Sequence, residues 1–275
     1  MRLPFEAITS PANALVKTLK GLERKKVRRE TGLFLAEGMR LVQQGLDAGW
    51  TLKTLVVSAD LIERPDIQTL AARARSQGAR LVSASQRVLG QIARKDNPQM
   101  LVGAFEQQHR SLSDLDLSQS GLWIGLYQIR DPGNLGTILR TADCAGIDGI
   151  VLVGTCCDPF SLESVRASMG SVFDIDFATS DVDTFSDWCT QNGIQRVAAS
   201  MNGTHRHDGV DYAGPSLILM GNEQSGLPVA LETSCEHLVR IPMRGGADSL
   251  NLAQATAIMS YEAWRQRGFE GARDS

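Results

Sequence analysis

Short apolar runs alternate with helix-periodic segments along almost the whole chain, and this alternation limits the possible folds more than any other feature. From Leu33 onward the order is FLAEG, a helical pattern over about 38–49, TLVVSAD, a helical pattern over about 66–77, ARLVSAS and MLVGAFE. After a break it resumes with a strand near 122–129, a helix from Asn134 to Ala145, DGIVLVG, and helices around 161–169 and 182–192. The strands RVAAS, SLILMG and HLVRIPM follow, and a helix from about Ser249 to Arg267 closes the chain. Strand–helix repetition predicts a mainly parallel sheet covered on both faces, so the expected fold class is α/β.

The break is QQHRSLSDLDLSQSG, a polar, serine-rich stretch with neither helical nor strand period. It divides the 275 residues into a small α/β domain over 1–108, a linker over 109–120 and a larger domain over 121–275. Charge divides at the same place. Residues 1–110 hold 18 of the 28 Lys and Arg but only 10 of the 31 Asp and Glu, which leaves the second part strongly acidic. The surplus peaks in KTLKGLERKKVRR, where Lys25, Lys26, Arg28 and Arg29 are the expected phosphate contacts and a solvated helix face is the plain alternative. The first domain is therefore expected to meet a polyanion.

Several classes are excluded. No stretch approaches the ~18 uninterrupted apolar residues of a membrane span, and the N-terminus lacks a signal-peptide core, so a cytoplasmic protein with no membrane partner is expected. Five cysteines without a C-x-x-C pair read as reduced thiols, with adjacent Cys156 and Cys157 expected on opposite faces of a strand. His205 and His207 read as surface polar residues, and no metal site is expected.

Three segments of the second domain carry polar groups at strand ends, where open α/β sheets bind ligands. In DPGNLGTILRTADCAG (131–146), Pro132 and Gly133 make a turn, Asn134 is placed as a helix N-cap, and Arg140 lies two turns on, suited to a surface ion pair or to a phosphate. The glycine spacing departs from the G-x-G-x-x-G of a nicotinamide-binding turn. In SLILMGNEQSGLP (216–228), Gly221 permits close backbone approach and Glu223 stands at the strand's C-terminal end. In HLVRIPMRGGADSLNLAQATAI (237–258), the strand ends at Ile241 and Pro242, Ser249 is placed as the N-cap of the last helix, and Asn251 falls in its first turn.

In this order the three segments resemble the signature motifs of the SpoU/TrmH family of SPOUT methyltransferases, over about 121–267. More loosely, the first 110 residues resemble the RNA-binding domain that precedes it in many members, with FLAEGMR (34–40) the best local match. Asp131 departs from the asparagine of many members but leaves Asn134 and Arg140 in register. The resemblance implies a trefoil-knotted catalytic domain that transfers a methyl group from S-adenosylmethionine to a ribose 2′-hydroxyl, with ribosomal RNA favoured over transfer RNA. It assigns Gly221, Ile241, Met243 and Leu250 to the cofactor, and Asn134, Arg140, Glu223, Ser249 and Asn251 to the catalytic site. Arg140 would also grip RNA, serving the partner's site in a homodimer formed through the catalytic domain. The competing reading from another class is a non-catalytic RNA-binding or ribosome-assembly protein of the same fold, against which the complete polar set argues.

Overall fold

The computed structural model describes residues 3–94, 99–115 and 121–273; residues 116–120 of the expected linker lie outside them. The first part runs β1 (Glu6–Ile8), α1 (Ala14–Gly21), α2 (Lys25–Thr31), β2 (Leu33–Glu37), α3 (Met39–Asp47), β3 (Leu52–Ser58), α4 (Pro65–Ser76), β4 (Arg80–Ala84), α5 (Gln86–Ala93) and β5 (Leu101–Glu106). The second runs β6 (Leu122–Tyr127), α6 (Pro132–Cys144), β7 (Gly149–Val153), α7 (Leu162–Ser168), β8 (Phe177–Ser180), α8 (Val182–Gln191), β9 (Gln195–Ala199) and β10 (His205–Arg206). It ends with β11 (Ser216–Met220), α9 (Val229–Thr233), β12 (His237–Arg240) and α10 (Leu252–Gln266).

These elements form two compact units, and one crosses the expected boundary: Phe160–Phe173, with α7, packs with residues 1–108. In that unit the strand order is β1-β4-β3-β5-β2, with β5 antiparallel to both its neighbours. The inserted segment is held there by chemistry that a strand–helix pattern does not reveal. Arg166 donates to both oxygens of Glu37, at 3.1 and 2.5 Å, and to the Ala93 carbonyl at 2.8 Å, which satisfies a carboxylate only 2% exposed. Phe160 and Phe173 join Phe34, Trp50 and Phe105 in an aromatic cluster, and Trp50 Nε1 donates to the Phe173 carbonyl at 2.9 Å.

In the second unit seven strands lie in the order β10-β12-β9-β11-β6-β7-β8, and every described pairing is parallel. Both faces are covered, so the central strands read as continuous apolar runs: LILM of β11 and all of β7 are buried. Residues 109–115, inside the expected linker, belong to this unit, where Leu112 and Leu115 enter the core beside Trp123 and Trp188. From β6 the chain proceeds through β7 to β8 on one side, then returns to build β9 and β11 on the other. The reversal leaves β6 and β11 adjacent, and a crevice opens at their C-terminal ends.

Candidate active site

The loops after β6, β11 and β12 converge on that crevice, and each is fixed by its own side chains. After β6, Gln128 takes a left-handed conformation (φ 48°), and its carbonyl accepts from Asn222 Nδ2 at 2.7 Å. Asn222, 6% exposed, also folds the loop after β11: its Oδ1 accepts from the amides of Gln224 (2.9 Å) and Ser225 (3.1 Å). Its backbone exchanges hydrogen bonds with Gly226 at 3.0 and 2.9 Å. Gly221 permits this closure, because a Cβ there would stand 2.4 Å from the Gly226 carbonyl carbon.

Glu223 ties this loop to the start of α6. It accepts from the amides of Arg130 and Asp131, both at 3.2 Å, and from Asn134 Nδ2 at 3.3 Å. Asn134 Oδ1 in turn accepts from Asn251 Nδ2 at 3.0 Å, and Asn251 Oδ1 caps α10 by accepting from Ala253 (2.9 Å) and Gln254 (3.4 Å). Amide orientation follows from the first member. An ionised carboxylate only accepts, so Asn134 turns its NH2 toward Glu223 and its oxygen toward Asn251, whose own oxygen then faces the helix amides.

Two helix starts differ from expectation. Asp131, not Asn134, caps α6, its carboxylate accepting from the Asn134 amide at 2.7 Å with Pro132 at the first helical position. Asn251, not Ser249, caps α10, which begins at Leu252. In both cases the residue nearer the apolar run was free for another task or was itself the cap, which residue type alone does not decide.

A cavity of about 850 Å³ lies among these loops. Gly221, Ile241, Met243 and Leu250 line it, as do Asn134, Glu223, Ser249 and Asn251. Met243 and Leu250 are 39% and 37% exposed, leaving apolar surface open toward the cavity. Arg140 is not brought to this cavity: it stands exposed on α6, with no partner among the described residues. Arg130, Asp248 and Glu232 line the cavity although the motif reading passed over them; only Arg130 and Asp248 had a signal, as charged neighbours of motif residues. Cys156 and Cys157 lie in a loop rather than a strand, because β7 ends at Val153. Burial pushes the Cys157 thiol up to about 12, with the nearby charges of Cys156, Glu223 and Asp131 adding to the effect.

The expected phosphate contacts separate in the first unit. Lys25, Lys26 and Arg29 are exposed along α2, with Lys26 near Glu30 at 3.8 Å. Arg28 is 3% exposed and donates from Nη1 to the carbonyls of Leu22 (2.8 Å) and Glu23 (2.7 Å), closing the end of α1. This corrects its assignment to RNA: the guanidinium is spent on the turn between two helices.

The chain matches known proteins along both parts. A model of the SpoU rRNA methylase family matches residues 121–261, and one of the MRM3-like substrate binding domain matches residues 13–103. An AdoMet-bound rRNA methyltransferase from Sinorhizobium meliloti is 46% identical, with a TM-score of 0.89 over 95% of this chain and 98% of that one. The 23S rRNA (uridine(2479)-2′-O)-methyltransferase of Streptomyces viridochromogenes is 29% identical over 90% of this chain and 87% of its own. The 23S rRNA (guanosine(2553)-2′-O)-methyltransferase of Bacillus subtilis is 28% identical over 94% of this chain and 98% of its own.

Proposed function

We propose a function from one premise: the chain belongs to the SpoU rRNA methylase family. It is an S-adenosylmethionine-dependent RNA methyltransferase that modifies a ribose 2′-hydroxyl. The observation that carries our reading of the site is the chain Glu223–Asn134–Asn251, which joins all three motif loops at one cavity.

The cavity suits the cofactor. About 850 Å³ falls in the range of small-molecule sites, and the lining pairs apolar Met220, Leu227, Ile241 and Leu250 with a polar rim. Gly221, Ile241, Met243 and Leu250 would hold the adenosine and methionine parts, in the trefoil-knotted arrangement the family resemblance implies. When bound, S-adenosylmethionine supplies an electrophilic methyl group on a cationic sulfonium.

The protein's part is to position the ribose oxygen and to help its proton leave. Glu223, Asn134 and Asn251 hold the rim: their hydrogen-bonding groups are turned on one another, so they shape the site rather than exchange protons. Ser249, exposed at the rim with no partner among the described residues, is free to meet the nucleotide. Arg140 binds the target phosphate and lowers the pKa of the 2′-hydroxyl. A guanidinium stays protonated in proteins and is a poor base, so its effect is electrostatic. Rates of Arg140→Lys and Arg140→Ala against pH test this: an electrostatic role lowers the rate at every pH, whereas loss of a titrating limb would show a base.

Arg140's place outside its own chain's cavity supports a homodimer through the catalytic domain, in which it serves the partner's site. Light scattering is expected to show a dimer at micromolar concentration; a monomer that still methylates RNA would overturn this. RNA enters through the first domain, for which exposed Lys25, Lys26 and Arg29 supply phosphate contacts, and ribosomal RNA is the favoured substrate. Residues 1–108 serve RNA and 121–275 catalysis, except that Phe160–Phe173 pack with the first unit, while 109–115 of the expected 109–120 linker pack with the second. The cytoplasm is the expected compartment, which the five free thiols support.

A further inference from the structure

Two side chains outside the signature segments meet in the cavity wall. Ser200, just after β9, donates from Oγ to Glu232 Oε1 on α9 at 2.5 Å, and both line the cavity. The serine oxygen also accepts from the Asn202 amide at 3.1 Å, so its proton is directed to Glu232. The loop bearing it cannot drift. A Cβ at Gly203 would lie 2.3 Å from the Val239 carbonyl carbon, so residues 200–203 rest directly on β12. Glu232 Oε2 takes no hydrogen bond among the described residues.

The other carboxylates lining the cavity are engaged or, like Asp248, have no bracing side chain among the described residues. Glu223 is met by three donors, Asp131 caps α6, and Asp248 stands in the loop before Ser249. Glu232 and Ser200 thus present a fixed pair of acceptor oxygens in the cavity wall. Two neighbouring acceptors, with no donor left to offer, match two hydroxyls on adjacent carbons. We propose that Glu232, braced by Ser200, is a specificity residue that binds the cis-diol of the cofactor's ribose.

This inference rests on the cavity being the cofactor site, and calorimetry can separate the two. The probes are S-adenosylmethionine, S-adenosylhomocysteine and 5′-methylthioadenosine, which keeps the ribose diol but lacks the amino-acid ammonium. Glu232→Gln is expected to weaken all three about tenfold, because a charge-assisted hydrogen bond is replaced by a neutral one. Ser200→Ala, which frees the carboxylate to turn, is expected to weaken them about threefold. Thermal melts without ligand check that each variant folds. If Glu232→Gln weakens S-adenosylmethionine but leaves 5′-methylthioadenosine unchanged, the group read is the ammonium and the diol assignment is overturned. Unchanged affinity for all three also overturns it. Failure of the unaltered protein to bind any of them would instead refute the cofactor site itself.

Discussion

Asn251 donates from Nδ2 to Asn134 Oδ1 at 3.0 Å, joining the cap of the last helix to the first turn of α6 across 117 positions of sequence. The bond has a fixed direction, set by the Glu223 carboxylate at the far side of Asn134. The helix cap and the proposed shaping of the site are therefore separable at Asn251. Asn251→Asp keeps an acceptor for Ala253 and Gln254 but sets oxygen against oxygen at Asn134. It is expected to retain the melting temperature within a few degrees while methyl transfer falls about tenfold. Asn251→Ala also loses the cap and is expected to cost about 1 kcal/mol of stability.

Gly221→Ala is expected to abolish cofactor binding while leaving a folded protein. The new Cβ meets backbone atoms of Gly226 and Leu227 at 2.4 and 2.6 Å, and backbone cannot rotate aside as a side chain can. Calorimetry with S-adenosylmethionine checks it; wild-type affinity would show that the loop after β11 does not shape the cofactor pocket.

The basic run divides into two kinds of residue, and salt titration distinguishes them. Neutralising Lys25, Lys26 and Arg29 in the full-length protein is expected to weaken RNA binding across sequences and flatten its dependence on salt. Arg28→Ala is expected to act otherwise: it leaves the Leu22 and Glu23 carbonyls without their donor and lowers the melting temperature. The full chain is needed because Phe160 and Phe173 are buried among residues of the first unit, and a fragment starting after residue 108 would expose them.

Apolar alternation revealed most of the strands of both sheets, since a doubly covered strand must be apolar throughout. It did not reveal β8, whose FATS is half polar, nor the two residues of β10. The motif residues were legible because polar groups at strand ends are costly unless used. Their partners were not: Asp131 and Asn134 both suit an N-cap, and only the backbone turn decides between them. Arg28 shows the same limit within one helix, as seven residues are too few for periodicity to tell its buried cation from exposed Lys25 and Arg29. Glu232 lies in a five-residue helix outside every motif and meets Ser200 only through the fold.

Burial raises three thiols: Cys157 and Cys189 to about 12 and Cys235 to about 11. An unfolded thiol titrates near 8.5, so the folded state holds these protons more tightly. Their contribution to stability is complete below about pH 8.5 and is lost as pH rises toward 11–12. Iodoacetamide at pH 8 is therefore expected to label exposed Cys144 first, and the raised thiols only as the protein unfolds. Rapid labelling of Cys157 in the native protein would contradict this.

The central claim is transfer of a methyl group to a ribose oxygen at the cavity beyond the C-terminal ends of β6 and β11. Its most direct test is incubation of the protein with unmodified ribosomal RNA and methyl-labelled S-adenosylmethionine, followed by alkaline hydrolysis. A 2′-O-methyl group blocks cleavage of the adjoining phosphodiester, so the account predicts label in alkali-resistant dinucleotides, reduced about 100-fold by Arg140→Ala. Label in mononucleotides would place the methyl group on a base, and that result, or no label at all, would contradict the account.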